Sequence, residues 1–305
     1  MVLSVSRRTD VPNYYSGWFL NRLKEGYFDV RNPMNPHQIS RIETSPDLVD
    51  CIVFWTKNPL NLMGRLNELR EYMYYFQFTL TGYSGEVEPN LPDKKRVLVP
   101  AFQNLSETLG KERVIWRYDP VFFSKNYTMQ FHLKAFGELA SMLKGYTQRV
   151  VISFLDLYAK IKRNMAELGL EEISEGDSFL LARQMAEIAA ENHMQIETCS
   201  EGMDLTEFGI RRGSCIDKEL IERLTGAALN GKKDKCQRDL CECLESVEVG
   251  TYHTCLTGCK YCYANFSDKK VKDMIKGFQP DSSLLCGSIQ PEDKLTIRKV
   301  RSLRK

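Results

Sequence analysis

The sequence predicts an α/β fold in which parallel strands are covered by helices. Short apolar stretches recur along the chain, and amphipathic stretches with helical spacing lie between them. Polar residues follow directly after most of the apolar stretches. This alternation is typical of parallel sheets, because each pair of parallel strands needs a crossover that is usually helical. The length of 305 residues suits one large domain or two small ones.

The candidate strands are short runs rich in β-branched and aromatic residues. They cover 2–6, 51–56, 75–80, 113–117, 149–154, 194–198 and 246–250. Apolar residues recur every three or four positions in the candidate helices, which cover 60–74, 128–143 and 177–192. We expect residues 1–190 to form the main part of the α/β unit. Residues 191–305 then supply a cysteine-rich region and the closing strand.

Composition narrows the classes of protein to which the chain belongs. The net charge of +2 argues against a strongly basic nucleic-acid-binding protein. No apolar run has the length of a membrane span, and the first residues lack the apolar core of a signal peptide. We therefore expect a cytoplasmic protein without membrane contact. The segment 292–305 carries six basic and two acidic residues, and we interpret it as a solvated tail rather than a nucleic-acid-binding arm.

Polar residues at the ends of the candidate strands are candidates for a binding site, because active sites of parallel α/β folds lie at the carboxyl ends of strands. The candidates are Thr9, Asp10, Lys57, Thr79, Thr81 and Arg117. Their alternative roles are structural. Threonine and aspartate at such positions often cap helices, and a basic residue often forms an ion pair with a neighbouring acid.

The cysteines are concentrated near the end of the sequence, where nine of the ten follow position 198. Clustering of this kind in a reducing compartment indicates metal binding rather than disulfides. Cys255, Cys259 and Cys262 have Cys-x3-Cys-x2-Cys spacing. A short loop with this spacing holds three corners of a 4Fe–4S cluster and leaves one iron open. The alternatives are a zinc knuckle or free thiols.

A second group of cysteines precedes this loop and consists of Cys199, Cys215, Cys241 and Cys243. Four thiolates suffice for a second, auxiliary iron–sulfur cluster or for a tetrahedral zinc ion. Unligated thiols are the third alternative, and the sequence leaves all three open.

The Cys255–Cys262 motif resembles the signature of the radical SAM superfamily. That resemblance implies a 4Fe–4S cluster that binds S-adenosylmethionine (SAM) and cleaves it to methionine and a 5′-deoxyadenosyl radical. It also implies an electron donor such as flavodoxin or ferredoxin. On this basis Lys57 and Arg117 pair with the SAM carboxylate, and Tyr261 packs near the adenine or shields the cluster. Thr9, Asp10, Thr79 and Thr81 then bind the SAM amino group or ribose.

Four segments resemble, in the same order, the branch of the superfamily that includes spore photoproduct lyase. They are Thr9-Asp10, Thr56-Lys57-Asn58-Pro59-Leu60, Leu80-Thr81-Gly82 followed by Val87-Glu88-Pro89-Asn90-Leu91-Pro92, and Arg117-Tyr118-Asp119-Pro120. In most radical SAM enzymes the cysteine loop follows the first strand, whereas here it follows the last. The resemblance therefore implies a circularly permuted, partial or complete (β/α) barrel of radical SAM type, in which strand 246–250 pairs in parallel with strand 2–6.

The whole chain also resembles an uncharacterised bacterial family with radical-SAM-like cysteines at the C-terminus. The cysteine pattern of that family includes the second group but not Cys236 or Cys286. We therefore predict a radical SAM enzyme with a second iron–sulfur cluster and an unidentified substrate. The alternatives are an enzyme of nucleic-acid repair or modification, which the low net charge disfavours, and a non-catalytic zinc or iron–sulfur module that binds nucleic acid.

Overall fold

The structure is a computed structural model that describes residues 1–305. Its strands are β1 Val2–Val5, β2 Tyr27–Arg31, β3 Gln38–Glu43, β4 Cys51–Thr56, β5 Tyr74–Thr79, β6 Val114–Val121, β7 Phe123–Ser124, β8 Arg149–Phe154, β9 Leu170–Glu171, β10 Gln195–Thr198, β11 Arg211–Arg212, β12 Val247–Val249 and β13 Lys294–Ile297. Its α-helices are α1 Val11–Tyr14, α2 Ser16–Glu25, α3 Leu60–Met63, α4 Val99–Leu109, α5 Met129–Leu143, α6 Lys162–Ala166, α7 Glu175–Glu191, α8 Lys218–Thr225 and α9 Asp268–Ile275. A π-helical turn covers Lys94–Leu98, and 3₁₀ turns cover Leu66–Leu69 and Thr206–Phe208.

Eight parallel strands form the main sheet, in the spatial order β11-β10-β8-β6-β5-β4-β1-β12. All seven candidate strands belong to it, and the two-residue β11 is the only addition. The predicted α/β class is therefore confirmed. A second sheet contains β13, β3 and β2, and a small third sheet pairs β7 with β9.

The last strand of the main sheet lies beside the first. β12 pairs in parallel with β1, with Leu3 opposite Val247 and Val5 opposite Val249. This is the pairing that the sequence predicts. β11 and β12 are the two edges of the sheet, so its hydrogen bonds do not close a complete barrel.

Helices cover one face of the main sheet. Odd and even residues of a strand point to opposite faces, and Phe54, Phe76 and Trp116 point toward this helical layer. The layer contributes Phe19 of α2, Phe102 of α4, Phe136 of α5 and Met185 of α7, all buried in one continuous core. The predicted helices over 128–143 and 177–192 correspond to α5 and α7, whose N-caps are the hydroxyls of Thr128 and Ser174.

The opposite face, which we call the inner face, is partly covered by residues 214–245. Val53, Tyr75 and Ile115 of the strands pack there against α8 and the chain that follows it. Toward the carboxyl ends of the strands the inner face becomes polar, where Gln77 and Arg117 are buried. This polar end of the inner face adjoins the candidate site.

Two predicted elements differ from the structure. The apolar spacing over 60–74 predicts one helix, but α3 ends at Met63 and a separate 3₁₀ turn covers Leu66–Leu69. The tail over 292–305 is not free in solvent, because β13 pairs in parallel with β3 and Leu303 is buried against the inner face. None of the helices is both long and apolar enough to cross a lipid bilayer.

Candidate functional site

The loop Cys255–Cys262, which we call the cysteine loop, lies at the carboxyl edge of the main sheet. The chain reaches it from β12 through Gly250, whose φ of +109° favours glycine, and a Cβ there would lie 2.8 Å from the Ser6 hydroxyl. The loop packs against the segment that follows β5. The Asn90 side-chain amide donates to the Leu256 carbonyl at 2.8 Å, and the Lys260 N–H donates to the Val87 carbonyl at 3.0 Å.

Two of the three thiols of the loop have local partners. Cys255 Sγ lies 3.3 Å from the Thr257 hydroxyl, and Asn265 Nδ2 lies 3.6 Å from Cys262 Sγ. Asn265 also accepts the Cys255 N–H at 2.9 Å, so one amide side chain joins both ends of the loop. Burial raises the pKa of Cys255 to about 12 and also raises that of Cys259. Thiolates at these positions therefore need a bound cation for stability, as metal ligands do.

Glu88 joins the loop to two strand ends. Its carboxylate is 2% exposed and accepts hydrogen bonds from Lys57 Nζ at 2.8 Å and from the Thr81 hydroxyl at 2.9 Å. The Tyr261 hydroxyl and the Lys94 ammonium donate to it as well. The Lys57 ammonium lies 5.3 Å from the centroid of the Tyr261 ring. Predicted candidates Lys57, Thr81 and Tyr261 thus meet at one carboxylate.

Asp10 has the structural role that the sequence offered as an alternative. It is the N-cap of α1 and accepts the Asn13 N–H at 3.1 Å. It also accepts the Thr56 hydroxyl at 2.7 Å and the Lys57 N–H at 2.8 Å, so it fastens the ends of β1 and β4 together. Burial raises its pKa to about 6. The neighbouring Thr9 hydroxyl is buried and has no hydrogen-bond partner.

Arg117 and Thr79 lie away from Glu88. Arg117 is buried on the inner face and donates through Nε and Nη2 to one oxygen of Asp119, whose other oxygen accepts the Ser153 hydroxyl. One of its nitrogens, Nη1, lies 2.8 Å from Cys215 Sγ. Arg117 therefore contacts the second group of cysteines rather than the cysteine loop. Thr79 is half-buried, and its side chain makes no hydrogen bond.

The second cysteine group, Cys199, Cys215, Cys241 and Cys243, is assembled at the inner face. Cys199 Sγ lies 3.3 Å from Cys215 Sγ. Cys243 lowers the pKa of Cys241 to about 7, and Cys215 is close enough to influence the pKa of Cys243. Four residues spread over 45 positions of sequence thus lie in one region of the inner face.

The thiols of both groups do not stand at a finished chelating geometry, since no three His, Cys, Asp or Glu side chains of the structure do so. The thiols are nevertheless suitable metal ligands, and they are concentrated in two places. Cys236 is exposed and Cys286 is buried apart from both groups, in the helical core.

Sequence reasoning missed Glu88, Lys94 and Asn265 as site residues. The segment Val87–Pro92 contains Glu88 and follows a strand end, which is the available signal for it. Lys94 lies in a charged segment without a motif, and Asn265 lies three residues beyond the last cysteine of the loop. Their roles depend on contacts with residues distant in sequence.

The family described as "Domain of unknown function (DUF1848)" matches residues 2–264, so the chain belongs to that family. The match includes both cysteine groups and every strand of the main sheet. No curated protein matches the chain.

Proposed function

We propose that this DUF1848 chain is a radical SAM enzyme. Cys255, Cys259 and Cys262 hold a 4Fe–4S cluster, which supplies one electron for the reductive cleavage of SAM to methionine and a 5′-deoxyadenosyl radical. The observation that carries the proposal is the position of the cysteine loop. It follows the strand paired with β1, at the carboxyl edge of a parallel sheet, where sites of such folds are built.

The donor set supports an iron–sulfur cluster at the loop. Three thiols are present where a closed cluster site uses four, so one iron remains for a substrate. Burial disfavours free thiolates at Cys255 and Cys259, and metal coordination removes that cost. The 84–91 segment packs against the loop, in which Cys259 and Tyr261 are buried.

The charges beside the loop suit a zwitterionic ligand such as SAM. Lys57 and Lys94 share a single carboxylate, Glu88, and bring two ammonium groups beside the loop that can pair with the SAM carboxylate. The unpartnered Thr9 hydroxyl offers a hydrogen bond at the end of β1. Asp10 positions Lys57 by accepting its N–H. The Arg117 guanidinium already contacts Asp119 and Cys215, so we assign SAM binding to Lys57 and not to Arg117.

We further propose that the main sheet is a circularly permuted, partial (β/α) barrel of radical SAM type. The proposal is supported by β12, the strand that carries the cysteine loop, lying on the outer side of β1. The first and last strands of such a sheet are neighbours in space. A circular permutation, which changes where the chain begins and ends, therefore leaves the cysteine loop at the same place in the fold.

SAM cleavage by the anaerobic protein tests the enzyme proposal. Reduced with dithionite, or with flavodoxin or ferredoxin as electron donor, the protein is expected to release 5′-deoxyadenosine and methionine, measured by liquid chromatography and mass spectrometry. Cys259→Ala is expected to reduce this release at least 100-fold and to lower the iron content by about four atoms per chain.

Cys236→Ala is the matched control, because Cys236 is exposed and outside both groups. Its iron content and SAM cleavage are expected to equal those of the wild type. Undiminished cleavage by Cys259→Ala would remove the basis for assigning the cluster to this loop.

One observation favours a second function, that of a non-catalytic metal-containing module that binds nucleic acid. Tyr158 and Tyr263 are about two-fifths exposed near the cysteine loop, with ring centroids 5.6 Å apart. The Lys160 ammonium lies 5.9 Å from the Tyr263 ring and 5.8 Å from the Phe266 ring. Aromatic rings beside cations suit stacked bases and phosphates.

Fluorescence anisotropy with a labelled single-stranded oligonucleotide tests the second function. Salt-dependent binding that Tyr263→Ala weakens about tenfold, without SAM cleavage by the wild type, supports the binding module. Absence of oligonucleotide binding at low salt rules it out. Met274→Ala, an exposed change elsewhere on the surface, serves as the control.

A further inference from the structure

The second cysteine group has a sulfur-to-sulfur contact that the cysteine loop lacks. Cys199 Sγ and Cys215 Sγ are 3.3 Å apart, and Cys241 and Cys243 are buried in the same apolar cluster as Cys215. In the cysteine loop the thiol contacts go to Thr257 and Asn265 instead. The two groups therefore differ in the space between their sulfurs.

That difference distinguishes between kinds of metal site. A tetrahedral zinc ion with Zn–S bonds of about 2.3 Å holds its four sulfurs about 3.8 Å apart. In a 4Fe–4S cluster each cysteine binds its own iron at a corner, so the body of the cluster separates the ligand sulfurs. The 3.3 Å between Cys199 Sγ and Cys215 Sγ is close to the spacing around a single ion and is shorter than the spacing that a cluster imposes.

We propose that Cys199, Cys215, Cys241 and Cys243 bind one tetrahedral zinc ion, and not the second iron–sulfur cluster that the sequence predicts. Four thiolates with no remaining position form a closed, structural type of zinc site. The four thiols do not yet stand at a chelating geometry, so binding one ion requires their side chains to turn toward a common centre. The site uses no ligand of the cysteine loop and is independent of the proposed SAM chemistry.

The surroundings of the group suit a negatively charged metal site. Four thiolates and one zinc ion carry a net charge of −2. Arg117 donates to Cys215 at 2.8 Å, and the Arg7 guanidinium lies within electrostatic range of Cys215 and Cys243. The Ile216 N–H lies 3.4 Å from Cys243 Sγ, a contact of the kind that stabilises metal-bound thiolates. Two cations and an amide donor thus face sulfurs in an otherwise apolar cluster.

The position of the ligands gives the ion a structural role. Cys199 directly follows β10 and Cys215 follows β11, both at the edge of the main sheet. Cys241 and Cys243 belong to the segment 214–245 that covers the inner face. One ion bound to all four residues would fasten this segment to the sheet.

Metal analysis of the native protein, purified anaerobically without added metal, tests the proposal. Inductively coupled plasma mass spectrometry is expected to find one zinc per chain in addition to the iron of the cysteine loop. Replacing Cys241 and Cys243 together by serine is expected to lower zinc at least tenfold and to leave iron unchanged. Cys236→Ser, the matched control, is expected to keep both metals.

Two further measurements do not depend on the folding of that variant. Wild-type protein loaded with cobalt(II) in place of zinc is expected to show the visible d–d absorption of a tetrahedral tetrathiolate site. Hydrogen exchange over 214–245 is expected to accelerate when a chelator removes the zinc. About eight irons per chain, a fifth iron in place of zinc, or a Cys199–Cys215 disulfide in the native protein would overturn the proposal.

Failure of this proposal and failure of the proposed function give different results. If the protein contains one zinc ion but does not cleave SAM, the zinc site is supported and the proposed radical SAM activity is rejected. If it cleaves SAM and contains eight irons, the radical SAM activity is supported and the zinc site is rejected.

Discussion

Glu88 brings two lysines, a tyrosine and a threonine to one buried carboxylate. Lys57 comes from the end of β4, Thr81 from the end of β5, and Tyr261 from the cysteine loop. A buried charge is tolerated only when it is paired and hydrogen-bonded, and here both oxygens have two donors. Glu88 therefore links the cysteine loop to the ends of β4 and β5.

The ionisation of Glu88 links the site to pH. Burial alone would raise the pKa of Glu88, but the charges of Lys57 and Lys94 outweigh burial and lower it to about 2 from an ordinary value of 4.5. A carboxyl group with a lowered pKa in the folded state stabilises the fold at pH values above its ordinary pKa. That contribution is present at neutral pH and is lost as the pH falls from about 4.5 to about 2.

Glu88→Gln is expected to lower the free energy of unfolding at pH 7 by about 3 kcal/mol, since it leaves two buried ammonium groups without their anion. Urea unfolding of the anaerobic protein, followed by circular dichroism, measures the change. The difference from the wild type is expected to shrink as the pH is lowered below 4.5. Glu86→Gln, an exposed change two residues away, is expected to have little effect. Equal stability of Glu88→Gln and wild type would show that the lysines have other counterions.

At the scale of elements, the strands were predictable because their signal is local. A strand buried on both faces has a continuous apolar run, as β4 has in Ile52, Val53 and Phe54. The long helices were predictable for a similar reason, since α5 and α7 each bury one stripe of residues. Over 60–74, the helical spacing of apolar residues led to the wrong prediction of a single helix. Leu62 and Leu69 are both buried there, but they belong to separate turns on either side of Gly64.

The candidate site was predictable only in part. Strand ends marked Lys57 and Thr81, and cysteine spacing marked the loop. The partners that decide each role are far away in sequence, however, as Cys215 is from Arg117. Thus Arg117 was expected beside SAM, whereas an ion pair and a thiol occupy its guanidinium. Contacts between side chains that are far apart in sequence leave no periodic pattern, so a single sequence does not predict them.

At the scale of the whole molecule, three late segments complete structures begun early in the chain. β12 adds to β1, β13 adds to β3, and Leu303 joins Leu229 and Leu244 on the inner face. The Leu303 carbonyl accepts the Asn230 N–H at 2.6 Å, so the end of the chain fastens the segment 214–245, which contains three of the four cysteines of the second group. Loss of this contact is therefore expected to loosen the cover of the inner face.

Asp50 is the residue that holds the final segment. Its carboxylate is fully buried and accepts the Ser302 hydroxyl at 2.6 Å and the Leu303 N–H at 2.7 Å, and Arg304 Nε lies 3.4 Å away. Asp50→Asn removes the negative charge and replaces one accepting oxygen by an amide NH₂ group, which is itself a hydrogen-bond donor and faces the donors of residues 302–304. We expect it to lower the free energy of unfolding by about 2 kcal/mol.

The local consequence of Asp50→Asn is a separate measurement from its effect on global stability. Lys299 and Arg301 are trypsin sites just before the held residues, and both are exposed. Trypsin is expected to cleave after them several times faster in the variant, as followed by intact-mass spectrometry under native conditions. Asp47→Asn, an exposed change in the same turn, is expected to be cleaved at the wild-type rate. If Asp50→Asn is cleaved no faster than Asp47→Asn, then β13 and Leu303 hold the segment without the carboxylate.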